Sequence, residues 1–341
     1  SFSRLKMHRR AIKYSKFGDP REVCFYPLPS QMINSGSSQA LVRWLASPIN
    51  PLDINKLQGA YAVKPPLPAI GGSEAAGRVI KIGSSVTRLS PGDKVVIFTL
   101  NSACWTDFSV VEETDVIKID SRISALQGAT LMINPTTAWI MMRMGGMERG
   151  DWLIQNSANS GVGRAVIEIA KEKGYHTINV VRDRPQIREL KDELMRMGGD
   201  IVWTEEEVKT EGKRFKGRPK LALNGVGGKS CLQISSLLSR GGMLVTYGGM
   251  SKKAHEISTS SLVFNGISAV GVANALWMAN NEEETKVMIK EIQEFYLRGA
   301  LHSPPMDEHL LENFKKAIEN SMDGKHAKQI FIIEEEKTSK I

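Results

Sequence analysis

Up to about residue 130 the chain alternates short apolar runs with turn-forming residues. Ala40-Leu-Val-Arg-Trp-Leu45, Ala76-Gly-Arg-Val-Ile-Lys-Ile82 and Lys94-Val-Val-Ile-Phe98 have the length and β-branched content of strands. Pro27-Leu-Pro29, Asn34-Ser-Gly-Ser-Ser38 and Ser90-Pro-Gly-Asp93 punctuate them. From about residue 133 strands alternate with helices, which predicts a parallel sheet. Strands are expected over 152–155, 176–181, 201–203, 220–223, 243–247 and 267–272. Helices are expected over 162–173, 185–197, 230–238 and 282–297. The second of these opens on Pro185 and is followed by Gly198, as helix ends commonly are. A helix over 308–322 and a strand over 329–333 come last, and that late strand predicts a return to the first domain. The expected domains are 1–132 with 276–341, and 133–275.

The junction of the first expected helix with the strand before it, Asn156-Ser-Ala-Asn-Ser-Gly-Val-Gly163, is a turn of small residues. On the G-x-G-x-x-G spacing of dinucleotide-binding βαβ units its three positions are Ala158, Ser160 and Gly163, with Gly161 as an extra glycine. Only the last glycine, which lets helix and strand pack closely, is kept. Order carries the inference: strand, small-residue turn, helix, then a second strand ending just before Arg182. The helix N-terminus offers free N–H groups and a positive dipole end to a pyrophosphate. An acidic residue after that second strand would accept hydrogen bonds from a free ribose 2′-hydroxyl. Arg182-Asp183-Arg184 instead brings two guanidiniums, which suit a 2′-phosphate. The combination predicts NADP(H) rather than NAD(H). A structural βα turn followed by a solvated charge cluster is the alternative.

At 341 residues the chain is long for one core, which supports two domains. With 41% hydrophobic and 24% charged residues it has the composition of a globular protein and not of a disordered one. The net charge of +8 suits a polyanionic ligand such as NADPH, CoA or an acidic carrier protein, and equally nucleic acid. No RNP motif, zinc finger or aromatic-studded basic stripe favours the last, so no nucleic-acid partner is expected. No apolar run approaches the ~18 residues of a membrane span, and none is expected. Cys24, Cys104 and Cys231 are too scattered for a disulfide framework or a metal knuckle, which suggests a reducing compartment. His8, His176, His255, His302, His309 and His326 show no ligand spacing, and no metal site is expected. Arg4, Lys6, Arg9, Arg10, Lys13 and Lys16 precede the first acid, Asp19. That start is read either as the tail of a transit peptide or as a first strand with exposed charges. Ser339-Lys340-Ile341 nears a peroxisomal Ser-Lys-Leu tail but departs at the last position, and is taken as coincidence.

Pro48-Ile-Asn-Pro-Leu-Asp-Ile-Asn55, Gly59-Ala-Tyr61, Gly71-Gly-Ser-Glu74 and Gly92-Asp93 resemble the medium-chain dehydrogenase/reductase superfamily. With the 156–163 turn, Asn179-Val-Val-Arg-Asp-Arg-Pro185, Leu223-Asn-Gly-Val-Gly-Gly-Lys-Ser230 and Val245-Thr-Tyr-Gly-Gly-Met250, the chain most resembles the mitochondrial trans-2-enoyl thioester reductases of fatty acid synthesis. The match runs from about Met7 to Ile333, and Arg-Asp-Arg-Pro and Tyr-Gly-Gly-Met are its more specific motifs. The resemblance implies an α/β protein with a GroES-like β-rich catalytic domain, a doubly wound Rossmann domain and a cleft between them. It further implies a homodimer in the mitochondrial matrix, NADPH as cofactor, and an enoyl-CoA or enoyl-acyl carrier protein substrate. Tyr61 would be the proton donor or carbonyl-polarising group. Cofactor contacts would fall on Asn134, on Asn159, Ser160, Gly161 and Val162, on Arg182, Asp183 and Arg184, on Tyr247, Gly248, Gly249 and Met250, and on Lys328. The family has a Phe-Trp-Leu triplet after the last Rossmann strand. This chain has Val272, Ala273 and Asn274 there, which alters the cofactor pocket and the acyl preference expected. Zinc members need Cys and His ligands and a four-Cys lobe. Asp53 and Gly72-Ser73-Glu74 stand at the ligand positions, and three cysteines cannot supply the lobe.

Reduction of an α,β-unsaturated thioester needs no metal. Hydride attacks the β-carbon, negative charge gathers on the thioester oxygen, and a proton must reach the α-carbon. A Tyr hydroxyl can serve either end. Tyr61 lies in a Gly- and Pro-bounded loop able to reach into a cleft. The residues alone favour a loop tyrosine covering apolar surface, and the resemblance reverses that reading. Tyr247, at the end of a strand, reads as a cofactor contact. Lys328 without the resemblance reads as a solvated charge. Two other functions stay open: a quinone or alkenal oxidoreductase of the same superfamily, and a reductase fold turned RNA- or protein-binding module. The charge and the altered triplet suggest the latter; Tyr61, Arg182 and Arg184 oppose it.

Overall fold

Alternating strands and helices from residue 133 onward build a parallel sheet in the computed structural model, which describes residues 5–7, 9–26, 31–33, 36–99, 102–324 and 327–334. The chain divides into two units, Ser1–Ile133 with Ser303–Ile341, and Asn134–His302. The second unit orders its strands Ile201–Thr204, His176–Val181, Trp152–Gln155, Pro219–Asn224, Met243–Thr246 and Ser268–Gly271, every neighbouring pair parallel. Numbered in chain order this is 3-2-1-4-5-6, the doubly wound arrangement. Ile154, Ile178, Val180, Ala222 and Leu244 are buried because helices cover both faces. The order reverses between Trp152–Gln155 and Pro219–Asn224, which opens a crevice at their C-terminal ends.

In the first unit the strands run Val116–Lys118, Lys94–Phe98, Glu74–Ile82, Gln39–Pro48, Lys328–Ile332 and Met306–His309, with Phe108–Glu112 also on Gln39–Pro48. Trp44, Trp105, Ile12, Tyr14 and Phe331 lie at its core, where Trp105 meets Phe331 edge-on at 5.5 Å. A Cβ on Gly71 or Gly72 would come within 2.3 or 2.4 Å of the Trp105 ring. Glycine at both positions lets the backbone lie against Trp105 and delivers Ser73 and Glu74 into the interior.

The elements over 152–155, 176–181 and 282–297 lie where the sequence predicts them, and the remaining Rossmann strands differ by one or two residues. Two expectations need correction. Residues 308 and 309 are not helical: Met306–His309 is a strand parallel to Lys328–Ile332, and a 3-10 turn over Leu311–Asn313 leads into the α-helix Phe314–Asp323. Strand pairing overrides the local helical pattern there. The return to the first unit comes at Ser303 and not at 276. The helix Glu282–Leu297 buries Met288, Ile289, Ile292 and Phe295 within the second unit, on the side of the helix Asn134–Met144. A boundary drawn at the last strand leaves that apolar face uncovered. The helix Pro51–Leu57, started by Pro51 and carrying Asp53 and Lys56, is absent from the β-rich reading. The turn at Pro27–Pro29, part of that at 34–38, Arg4, His8, His326 and the 339–341 tail lie outside the described residues. Among those described, no helix is long and apolar enough to cross a membrane.

Candidate active site

In the second unit the crevice rim is built of amides. Asn156 donates to Asn224 Oδ1 at 2.9 Å and to Ser230 Oγ at 3.2 Å, and accepts from the Gly225 N–H at 2.8 Å. Gln155 donates to the Gly163 carbonyl at 2.9 Å and to Asn179 Oδ1 at 2.8 Å. The Asn156 bonds tie the turn after the first strand to the loop after the fourth, and the Gln155 bonds tie the first strand to the helix start and the second strand. Ser160 caps the helix Gly161–Lys173 by accepting from the Gly163 N–H at 3.1 Å. The turn admits no extra side chain. A Cβ on Gly161 would lie 2.5 Å from Asn134 Nδ2, and one on Gly163 would lie 2.5 Å from the Ala158 carbonyl oxygen. Tyr247 crowds the opposite side: its hydroxyl would be 2.6 Å from a Cβ on Gly225.

Asn134 Nδ2 and the Tyr247 hydroxyl are both buried without a hydrogen-bond partner. Burial pushes the Tyr247 phenol up to about 12, against a smaller pull from Ser160, so it stays a protonated donor. Buried polar atoms are nearly always paired. Two unpaired donors against one glycine-bearing rim fit a ligand with acceptor oxygens, and with the helix N-terminus they fit a dinucleotide. The strand His176–Val181 ends directly before Arg182. Arg182, Asp183 and Arg184 are exposed, and Asp183 turns back to accept from the Arg184 N–H at 2.9 Å. Among the described residues neither guanidinium has a partner, so both are available to an anion.

Other predicted cofactor positions fall nearby within this unit. Asn159 and Val162 flank Ser160 and Gly161 in the turn. The backbone of Tyr247 to Met250 folds over Asn224 and Gly225, with N–H donation from Tyr247 to Asn224 at 3.0 Å and from Met250 to Gly225 at 3.0 Å. A Cβ on Gly248 would lie 3.2 Å from the Gly225 oxygen, a tight contact, and one on Gly249 would meet His255 Nε2 at 3.7 Å. After the last strand, Val272 donates its N–H to Thr246 at 2.9 Å and Ala273 is exposed. Asn274 commits its amide to Thr136 and Thr137, at 2.7 and 3.0 Å, on the same helix as Asn134.

The first unit holds a separate polar cluster beside Tyr61. The helix Pro51–Leu57 presents Asp53 and Lys56 inward, both buried. Asp53 accepts from the Asn50 N–H at 2.8 Å and from Ser73 Oγ at 2.6 Å, and Ser73 accepts from Lys56 Nζ at 3.0 Å. Lys56 Nζ stands 5.9 Å from the Tyr61 ring centroid. The Tyr61 N–H donates to Asn55 at 3.1 Å, which fixes the loop to the helix end. Burial and then the Asp53 charge raise the Tyr61 phenol, so it is a neutral donor at physiological pH. Glu74 is fully buried; it accepts from Asn50 Nδ2 at 3.1 Å and from the Ile133 N–H at 2.8 Å. Desolvation pushes its carboxyl up to about 7 despite the Lys328 charge. Lys328 donates to Asn50 Oδ1 at 2.6 Å, and burial lowers its ammonium. Tyr61 and Lys328 thus belong to this unit, and the other predicted cofactor positions belong to the second. A cavity of about 350 Å³ opens beside the cluster, with Tyr14, Asp53, Lys56 and Ser73 in its wall. Among the described residues no group of three or more His, Cys, Asp or Glu is placed to hold a metal ion.

Sequence reasoning missed the Lys56–Ser73–Asp53 chain and the amide rim. Polar residues at the ends of apolar strands (Gln155, Asn224) are a signal that would have found the rim.

A β-rich unit closed by the last strand, joined to a Rossmann unit with a glycine-bearing turn at its switch point, defines a medium-chain dehydrogenase/reductase. Family models agree, matching an alcohol dehydrogenase GroES-like domain over residues 36–122 and a zinc-binding dehydrogenase over residues 161–294. A mitochondrial enoyl-acyl-carrier-protein reductase of Caenorhabditis elegans is 51% identical over 331 residues, 95% of each chain. Two solved structures of 2-enoyl thioester reductase are each 32% identical with a TM-score of 0.87, covering 96% of this chain and 100% of theirs. One is Etr1p in complex with NADP and crotonyl-CoA; the other is the mitochondrial Etr1p/Etr2p heterodimer from Candida tropicalis. The chain belongs to the mitochondrial enoyl-acyl-carrier-protein reductases.

Proposed function

We propose that this chain is a mitochondrial reductase that uses NADPH to saturate the 2,3 double bond of trans-2-enoyl thioesters. The observation that carries the reading is the crevice rim: two unpaired buried donors, Asn134 Nδ2 and the Tyr247 hydroxyl, meet a glycine-bearing helix N-terminus. The adenosine end is assigned to Arg182 and Arg184, whose forked donors match a 2′-phosphate. Ser160, Gly161 and Val162 would receive the pyrophosphate on backbone N–H groups. Asn159, Asp183, the 247–250 and 272–274 segments and Lys328 are assigned to the remaining cofactor contacts. When bound, NADPH supplies the hydride that adds to the β-carbon.

Tyr61 has the task left to the protein. Its neutral phenol donates to the thioester oxygen as negative charge builds there, or delivers the proton to the α-carbon. The buried Asp53–Ser73–Lys56 chain and the Tyr61–Asn55 backbone bond hold that loop in place. The carrier is CoA or acyl carrier protein, and the compartment is the matrix, as the relatives' mitochondrial names suggest; protease-protected fractionation checks the compartment.

A homodimer is the proposed assembly. Among the described residues the strand Ser268–Gly271 pairs on one side only and is largely exposed, and the preceding residues Val263 and Phe264 are 65% and 75% exposed. An unpaired edge next to apolar surface is a site for association.

The functional test follows NADPH oxidation with crotonyl-CoA and, separately, with a quinone. Turnover of the enoyl thioester and slow turnover of the quinone are expected. Failure to reduce any enoyl thioester would overturn the assignment. Tyr61→Phe should cut turnover by about 10²–10⁴ while leaving NADPH binding intact; equal loss of both would assign Tyr61 a structural part.

A further inference from the structure

His255, exposed on the second unit, spends one ring nitrogen on a fully buried amide: its Nδ1 stands 2.7 Å from Asn224 Nδ2. The rest of the Asn224 amide fixes the direction of that bond. Asn224 Oδ1 receives Asn156 Nδ2 at 2.9 Å and the backbone N–H groups of Gly227 and Val226 at 3.0 and 3.3 Å. Backbone N–H groups can only donate, so that atom is the carbonyl oxygen and its sister is the NH2 group. The NH2 group gives one proton to Thr246 Oγ1 at 3.1 Å and the other to the ring. His255 Nδ1 therefore accepts, which leaves the ring neutral with its proton on Nε2.

The backbone holds the ring in place. His255 forms a parallel bridge with Gly228, whose N–H donates to the Ala254 oxygen at 3.1 Å, and the Ser251 N–H donates to the Val226 oxygen at 3.0 Å. From Asn224 the bonds lead on to the crevice rim. Asn156 Oδ1 holds the Gly225 N–H at 2.8 Å, and Gly225 lies against Tyr247, where a Cβ would be 2.6 Å from the hydroxyl.

We propose that His255 is a positioning residue for the cofactor: its neutral ring holds Asn224 and, through Asn156 and Gly225, the seat of the Tyr247 hydroxyl. The inference rests on the dinucleotide occupying this crevice. A second proton on the ring would put an N–H on both nitrogens, and the buried Asn224 donor would then face another donor. The charged groups on the segments packed there are Lys220 on the strand ending at Asn224, Lys229 on the helix Gly228–Ser235, and Lys252, Lys253 and Glu256 beside the ring in sequence. The Cys231 thiol and the Tyr247 phenol stay neutral, because burial raises both. One more exposed charge in that company is screened by water and salt, whereas the lost bond is buried, so protonation weakens cofactor binding.

Calorimetric titration of the full chain with NADPH, paired with steady-state kinetics on crotonyl-CoA, tests this. At about pH 8, His255→Leu should raise the Kd and the KM for NADPH about tenfold and leave kcat at saturating NADPH unchanged. His255→Asn, whose Oδ1 offers an acceptor where Nδ1 stood, should stay within about twofold of wild type. Between about pH 8 and pH 5.5 the wild type should lose about fivefold more affinity than His255→Asn. Taking that ratio cancels the protonation of the 2′-phosphate, which both proteins meet alike. An unchanged Kd in His255→Leu, an Asn variant no better than the Leu variant, or a ratio constant across pH each overturns the inference. The double variant Arg182→Ala, Arg184→Ala separates it from the reading beneath it. Lost affinity there with none lost in His255→Leu removes the role of His255 alone; no loss in either removes the crevice assignment as well.

Discussion

Arg182 and Arg184 are exposed cations directly after a strand end, and their effect on cofactor choice is separable from folding. Changing both to Ala should weaken NADPH at least about tenfold and hardly alter NADH, since charged hydrogen bonds are worth about 1.5–3 kcal/mol each. Calorimetric titration with the two nucleotides reads this, and an unchanged preference for NADPH refutes the phosphate site. Glu74 makes a different prediction. Its carboxyl titrates at about 7 in the fold against an ordinary 4.5, so the folded form keeps a proton that the unfolded chain has released. That contribution is complete below the ordinary value and is lost as pH rises through about 7. Thermal midpoints of Glu74→Gln relative to wild type should therefore improve between about pH 5 and pH 8; a constant difference contradicts it. At this scale the sequence was uneven. The arginines are legible because a short apolar strand points to the residue after it. Lys56, Ser73 and Asp53 are not, because Ser73 meets its partners across 17 and 20 residues and only once Gly71 and Gly72 have packed on Trp105.

Among the elements, the helix Gly161–Lys173 shows how little of a fingerprint is needed. Ala158 and Ser160 replace two glycines, yet Ser160 gains a capping bond in return. Gly163 has no substitute, because a Cβ there would strike the Ala158 backbone. Gly163→Ala should cost about 1–3 kcal/mol, the range of overpacking, and weaken NADPH in parallel. Chemical denaturation and nucleotide titration test the pair of effects; a variant as stable as wild type removes the packing argument. Element type was legible wherever periodicity was strong, as for the strand His176–Val181 and the helix Glu282–Leu297. The strand Met306–His309 was not, since its identity comes from the parallel neighbour Lys328–Ile332 and not from its own four residues.

For the whole molecule, the exposed edge Ser268–Gly271 bears on association. Phe264→Glu should shift the light-scattering mass in solution from two chains toward one, and an unaltered mass would place any self-association elsewhere. Domain assignment by strand order alone placed residues 276–302, up to the observed return at Ser303, in the wrong unit. Amphipathic helices belong to the core that covers them, whatever the strands beside them do. The first unit is also assembled from both ends of the chain: Lys328–Ile332 pairs with Gln39–Pro48 on one side and Met306–His309 on the other. The Rossmann unit is continuous in sequence and has every partner it needs once His302 has left the ribosome. The unit carrying Tyr61 must wait for Lys328–Ile332, because until then Phe108–Glu112 pairs only the Gln39–Arg43 part of that flank of its longest strand and leaves the end at Ala46–Pro48 open. A premature stop ahead of Lys328 would thus leave the nucleotide-binding half able to fold, and the half holding the tyrosine exposed to chaperones and proteases.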